Sequence, residues 1–387
     1  MDIWGAERFG MEERLKAFQI VPKIREYERF AEFAGEAGLQ AGDLILTNEW
    51  IYKPKIEELH LDCRIVFVEK YGMGEPTDVM ADAVLEELKD SAYDRIIAVG
   101  GGTIIDLAKV LAVAEADDRV ADLYGRMDAL QKVHPLLIVP TTCGTGSEVT
   151  NIAIINRTDK GIKQGLASSA MFADEAVLIP ELLEGLPYKV YAASSIDAMV
   201  HAVESYLSPQ ACSLSELFSE QAVSLLIHSW KAAVAGAEPE GWKQYAAALL
   251  RASNYAGIAF GHAGCAAVHA LSYPLGGVHH VPHGEANHVM FEPVMRAYME
   301  KKPAGRLYQL RTILGSLLDC ASEAALENLF ALLGQVQERK PMQFYGVTAQ
   351  ELLQYTENVM ETQQRLLKNN YVPLTRDDIL RIYRNAF

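Results

Sequence analysis

Residues 94–109 read DRIIAVGGGTIIDLAK. The run RIIAV is short, aliphatic and β-branched, which suits a buried strand. Gly100, Gly101 and Gly102 end it and let the backbone approach a bound group closely. A helical pattern follows, with Thr103 placed to cap it and Asp106 three residues on. The free N–H groups and the dipole at the start of such a helix favour a phosphate. On the glycines alone, an ordinary strand-to-helix turn reads the same way. The motif is neither G-x-G-x-x-G nor a P-loop, so neither of those mechanisms transfers.

Outward from this stretch the pattern repeats. DLILTNEW at 43–50, RIVFVEKYG at 64–72 and HPLLIVPTT at 134–142 each hold a short apolar core ended by a turn signal. Amphipathic stretches at 78–88 and 104–114 lie between them. This alternation predicts a mostly parallel, doubly wound α/β sheet, with 176–187 as one more strand and its exit. PTTCGTGSEVT at 140–150 sets Thr141, Thr142, Thr145 and Ser147 around Gly144 and Gly146. Such a loop suits a diphosphate, a ribose or a carboxamide, or else satisfies its own backbone. Two such loops at the ends of consecutive strands lie where open α/β sheets bind nucleotides.

After Pro187 the texture changes to patterns of period near 3.6, at 194–206, 214–235, 242–259 and 352–367. Residues 1–187 therefore read as a dinucleotide-binding α/β domain and 188–387 as an all-helical domain, which the aspartate and histidines below would make a metal-binding one. Thr375 and Asp378 have capping-box spacing, so the chain is expected to finish on a helix.

Composition bounds the function. At roughly 100–200 residues per domain, 387 residues suggest two domains. A formal charge of −16 with no basic run disfavours nucleic acid and anionic lipid as partners. No run of 18 apolar residues is present, so no membrane span is expected. MDIWGAERFGMEERLK lacks the apolar core of a secretory signal. Five scattered cysteines without C-x-x-C spacing argue against a disulfide framework or a cysteine-based zinc site and suit a reducing cytoplasm.

Six of the ten histidines lie between His262 and His288. Asp197 and His201 are four apart and share a face if 194–206 is helical. HALSYPLGGVHHVPHGEAN at 269–287 adds His269 and His283. One carboxylate and three imidazoles can make a four-coordinate site for a divalent ion. An isolated Asp/His pair at this spacing also occurs as a simple surface hydrogen bond. His279, His280 and His288 read individually as hydrogen-bonded or solvated, and His60 and His228 as structural.

GGGTIIDLAK, PTTCGTGSEVT, DAMVHAVESY and HALSYPLGG…PHGEAN stand in the order and spacing of the iron-containing (group III) alcohol dehydrogenase family, which nearly the whole chain resembles. The resemblance implies an active site in the cleft between the two domains. It implies Asp197, His201, His269 and His283 as ligands of Fe²⁺, with Zn²⁺ as the alternative. For NAD it implies Gly101, Gly102, Thr103, Thr141, Thr142 and Thr145, with Lys163 near a ribose and Phe260 near the nicotinamide. It further implies a small-molecule alcohol or aldehyde substrate and a homodimer. ILTNEWIY, EKYGMGEPTD and TQQRLLKNNYV are similar to the subgroup that interconverts 4-hydroxybutyrate and succinate semialdehyde. Butanol, 1,3-propanediol or lactaldehyde enzymes are alternatives, and glycerol dehydrogenase or dehydroquinate synthase-like enzymes more distant ones. Three departures stand out. Asn48, followed by Glu49, replaces an aspartate that commonly binds the adenosine ribose. Tyr273 replaces a second active-site histidine, and His262 replaces an asparagine. Tyr273, His279 or a water chain is expected to carry the proton, and His279 and His280 are the candidates to meet a substrate carboxylate.

Overall fold

The computed structural model describes residues 18–236 and 240–387. The aliphatic runs become strands: β1 (Lys23–Glu26), β2 (Asp43–Thr47), β3 (Arg64–Phe67), β4 (Arg95–Gly100), β5 (Leu136–Pro140), the hairpin strands β6 (Ile152–Arg157) and β7 (Ile162–Ala167), and β8 (Glu175–Leu178). Six of them pair in parallel in the order β1-β8-β5-β4-β2-β3. Every residue of β2 and β5 is buried. Continuous apolar runs are what a strand needs when helices cover both faces of its sheet.

The first helices are α1 (Phe30–Ala37), α2 (Glu49–Lys55), α3 (Asp78–Leu88), α4 (Gly102–Leu111) and α5 (Val120–Gly125). Leu44, Leu46, Ile96, Ala98 and Ile138 pack with residues of α3 and α4 on one face. Ile45, Ile97, Val99 and Val139 pack with Phe30 and Phe33 of α1 on the other. The chain leaves β2 for β3 at the edge, then returns to lay β4 on β2's other side. The carboxyl ends of β2 and β4 thus flank a topological switch point, the place where such sheets bind ligands.

From Tyr188 onward all described regular elements are helical: α6 (Tyr188–Leu207), α7 (Ser213–Ala235), α8 (Ala246–Ala263), α9 (Ala267–His279), α10 (His283–Lys301), α11 (Arg306–Leu317), α12 (Ala325–Val336), α13 (Glu351–Thr362), α14 (Gln364–Leu367) and α15 (Arg376–Ala386). From Tyr191 on, α6 is buried at every residue but Ser194, and α7, α8 and α10 pack around it. No described helix is long and apolar enough to cross a membrane.

Several expectations are corrected. Strand β1, KIRE, is too charged to read as a strand; it tolerates charge because it lies at the sheet edge, paired only with β8. The β6–β7 hairpin was also not foreseen, although β6 alternates half-buried and buried residues. The helix expected from residue 242 starts as a short 3₁₀ turn and becomes α8 only at Ala246. Thr103 does not cap α4. Gly101 stands at the cap position, and Thr103, two residues inside the helix, donates its hydroxyl to the Gly74 carbonyl at 2.8 Å. Asp106 turns inward instead, accepting from Ser147 Oγ at 3.1 Å and Ile154 N at 2.9 Å.

Candidate active site

Helix α6 carries Asp197 and His201 one turn apart, both buried. His269 lies in the first turn of α9, and His283 is the first residue of α10. One ligand atom from each of these four residues lies within 4.8 Å of all the others. His283 Nε2 is 3.6 Å, and His269 Nε2 3.8 Å, from Asp197 Oδ1. The His283 side chain is 33% exposed against 6% or less for the other three, so the cluster opens on its side.

The protonation pattern follows from the partners. His201 Nδ1 donates to the Gly144 carbonyl at 3.3 Å, and His269 Nδ1 donates to Glu204 Oε2 at 2.7 Å. With their protons on Nδ1, both imidazoles turn bare Nε2 lone pairs towards each other at 3.0 Å. Converging lone pairs at that distance need a cation or a proton between them. Burial pushes His201 down to about 3 and lowers His283 as well, which keeps these imidazoles neutral. Burial opposes the charge on Asp197, yet His201, His283, His269 and the Asn287 amide hold its carboxyl below the ordinary range. His269 goes the other way: burial opposes its charge, yet Cys265 and Glu204 push it above the ordinary range. One carboxylate and three convergent imidazoles, two of them held neutral, fit a divalent ion such as Fe²⁺ or Zn²⁺.

Two supporting residues escaped the sequence reading. Glu204, three residues after His201 on α6, is buried. Its Oε1 accepts from Val268 N at 2.6 Å, and its Oε2 from Ala266 N at 2.8 Å as well as from His269. It caps α9 and fixes the ring of His269, the role that outer carboxylates play around metal ligands. Asn287 follows His283 by one turn of α10. Its Nδ2 donates to Asp197 Oδ1 at 2.6 Å and lies 3.2 Å from Nε2 of both His269 and His283. Its Oδ1 is buried without a partner among the described residues. Both stand three or four residues from a candidate ligand on the same helix, a spacing that points at them without telling a buried face from an exposed one.

The two glycine- and threonine-bearing loops meet at the ends of β4 and β5. A Cβ on Gly101 would stand 3.2 Å from Thr142 Cγ2, and one on Gly102 3.1 Å from Thr145 Cγ2. No side chain caps α4, which leaves its first N–H groups open to an anion. Beneath the loops, Lys109 Nζ is fully buried and donates to Ser147 Oγ at 2.7 Å, Thr150 Oγ1 at 3.0 Å and the Ile152 carbonyl at 2.8 Å. Burial pushes its ammonium down to about 8. Gly146 has φ +55°, and a Cβ there would meet Gly257 Cα of α8 at 2.5 Å, so the loop lies backbone to backbone on the helix. Through Gly144 and His201 the same loop reaches the aspartate–histidine cluster.

The other expected residues fall as follows. Thr141 is buried after β5, while Thr142 and Thr145 are half-buried. Phe260 stacks on His201 with ring centres 4.3 Å apart. Lys163 pairs with Glu75 at 2.6 Å. Asn48 donates to Glu69 at 2.7 Å. Tyr273, one turn after His269, has its ring centre 6.4 Å from that of His283. His279 ends α9, with Nε2 2.7 Å from the Tyr355 hydroxyl and 3.2 Å from Glu351 Oε1; these partners belong to α13. His280 is exposed at the left-handed cap of α9. His262, unexplained by sequence, donates to the Gln19 carbonyl at 2.6 Å and stacks on Phe18.

The chain is 42% identical over 377 residues to a 4-hydroxybutyrate dehydrogenase of Clostridium kluyveri, spanning 96% of this chain and 100% of that one. It is 36% identical over 336 residues to long-chain-alcohol dehydrogenase 1 of Geobacillus thermodenitrificans, covering 82% and 83%. The crystal structure of an iron-containing alcohol dehydrogenase from Thermotoga maritima superposes with a TM-score of 0.79 at 26% identity, covering 96% of this chain and 99% of that one. Residues 26–180 match the family model for iron-containing alcohol dehydrogenase, and residues 191–387 match the model for the C-terminal part of the same family. This oxidoreductase therefore belongs to the iron-containing alcohol dehydrogenase family.

Proposed function

We propose that the enzyme interconverts 4-hydroxybutyrate and succinate semialdehyde, using NAD and a divalent ion on Asp197, His201, His269 and His283. The observation that carries the substrate is the 42% identity to a 4-hydroxybutyrate dehydrogenase along that relative's whole length. When bound, the ion, iron first and zinc as the alternative, supplies a Lewis acid for the substrate oxygen, and the nicotinamide supplies the hydride acceptor. In this reading residues 1–187 bind the dinucleotide and residues 188–387 the metal.

The chain's own residues do the rest. Gly101, Gly102, Thr103, Thr141, Thr142 and Thr145 form the cradle for the diphosphate and nicotinamide half, with Lys163 beside a ribose. Phe260 covers one face of His201 and keeps water from that side. Tyr273 is better placed than His279 to pass the alcohol's proton outward, since His279 is engaged with α13. Burial raises the Tyr273 hydroxyl above its ordinary range, so it relays a proton as a neutral group and does not abstract it as a base.

A substrate carboxylate needs a cation or several donors. Lys163 is neutralised by Glu75, and His279 and His280 sit at the far end of α9. Arg365 remains. It lies on α14, which packs against α9, its charge acts on the Tyr273 hydroxyl, and no partner holds it among the described residues. The test is a comparison of kcat/KM on 4-hydroxybutyrate, 1-butanol and 1,3-propanediol. One charge-assisted hydrogen bond of about 1.5–3 kcal/mol favours 4-hydroxybutyrate over 1-butanol by at least about tenfold. Equal rates on the three would leave a general alcohol dehydrogenase. The same reading makes the enzyme a cytoplasmic homodimer, with free cysteines suited to a reducing compartment; light scattering reads the assembly.

A further inference from the structure

Strands β2 and β3 end side by side at the switch-point rim, and one carboxylate ties the two ends together. Glu69 lies in the short turn after β3. Its Oε2 accepts from Asn48 Nδ2 at 2.7 Å, and its Oε1 from Glu49 N at 2.7 Å. Glu49 N is the first N–H of α2. Two donors at the end of β2, one N–H of the Asn48 amide and the Glu49 N–H, are therefore already engaged by this carboxylate.

The neighbouring cations are also committed. Lys70, next in sequence, pairs with Glu87 at 2.6 Å, and Lys53 pairs with the Glu49 side chain at 2.8 Å. Among the described residues no Lys or Arg pairs with Glu69 within ion-pair distance, so its charge faces the rim uncompensated. In doubly wound sheets the adenosine ribose lies beside the switch point, and an acidic residue there takes its hydroxyls. At that position β2 offers the neutral Asn48.

We infer that Glu69, reaching across from the end of β3 and held by Asn48 and Glu49 N, is the residue that makes this enzyme choose NAD over NADP. The inference rests on the NAD reading above. A 2′-phosphate would bring close to two negative charges against the Glu69 carboxylate, and the two N–H groups that carboxylate already holds are not free to receive it. The 2′-hydroxyl of NAD instead finds an acceptor. Asn48 acts through Glu69 as a positioning residue. Replacing it by aspartate would press a second carboxylate against the first and break the tie.

Binding of NADH and NADPH to the purified full-length protein without alcohol, read by nicotinamide fluorescence, tests this. Wild type should bind NADH more tightly. Glu69→Gln keeps the size and an accepting oxygen but removes the charge. It should tighten NADPH binding by about 10- to 100-fold and change NADH binding only a few-fold. Glu69→Ser, which removes tie and charge together, should tighten NADPH at least as far, and either folded variant decides the matter. Asn48→Asp should weaken NADH. A wild-type preference for NADH that survives unchanged in both Glu69 variants overturns the role of Glu69 alone. A wild type that prefers NADPH overturns the NAD reading and this inference with it.

Discussion

That Asp197, His201, His269 and His283 would come together was legible, because the i, i+4 spacing of the first two and the histidine density around the others survive without a fold. Glu204 and Asn287 were not, since a polar residue on a helix looks the same in sequence whether it faces water or the interior. Only the packing of α6, α9 and α10 shows both to be buried. Their burial makes them testable. His269→Ala should lose bound metal and activity while remaining folded, because the cluster opens towards solvent at His283; full metal content in the variant sinks the ligand assignment. Glu204→Gln keeps the shape but weakens the hold on His269 Nδ1. Chelator competition should show metal bound about 10- to 100-fold more weakly, with the chain still folded. Arg365→Met should lower kcat/KM on 4-hydroxybutyrate by roughly 10- to 150-fold, mainly through KM, and leave 1-butanol within about twofold. Equal losses on both substrates would make Arg365 a scaffold residue.

Among the strands, those with a short apolar run were legible, the edge strand β3 included, and β1 and the β6–β7 hairpin were not. β2, β4 and β5 announce themselves by unbroken aliphatic runs. β1 depends on β8, a partner far along the chain, and its charged residues hide it, while the β6–β7 hairpin is local but hidden by the polar residues of β7. The start of α4 was misread for a related reason: glycine caps leave no side-chain signature, so Thr103 took the role on paper. The last helix behaves as its spacing predicts. Thr375 Oγ1 accepts from Asp378 N at 3.2 Å, and Asp378 Oδ2 accepts from Thr375 N at 2.8 Å. Burial opposes ionisation of Asp378, but Lys301 and the Thr375 hydroxyl and amide hold its carboxyl at about 2. Because the folded value lies below the unfolded one, this stabilisation is present above about pH 4 and is lost as the pH falls towards 2. Asp378→Asn should cost about 1–2 kcal/mol at pH 7, and its melting curve should converge on wild type near pH 2. A constant gap across that range would refute the assignment.

For the whole molecule, the cluster matters because its residues come from three helices, α6, α9 and α10, that a bound ion would tie together. A cation that binds them and not the unfolded chain stabilises the fold by about 2.7 kcal/mol at a hundred times its dissociation constant. Melting of metal-stripped protein should therefore rise by several degrees on adding Fe²⁺ under anaerobic conditions, or Zn²⁺, and stay flat in His269→Ala. The backbone contact between Gly146 and Gly257 joins the sheet side to the helices without any side chain, so Gly257→Ala should force the two apart and cost at least about 1–3 kcal/mol. The sealed lysine under the loops adds a consequence of another kind. Amine reagents attack only neutral amines they can touch. Lys109, pushed down to about 8, reaches the neutral form more readily than an ordinary lysine but is closed off in space. Its labelling rate is therefore a clock for how often the floor of the cleft breathes open, and a dinucleotide lying across both loops should slow that clock while surface lysines keep their pace.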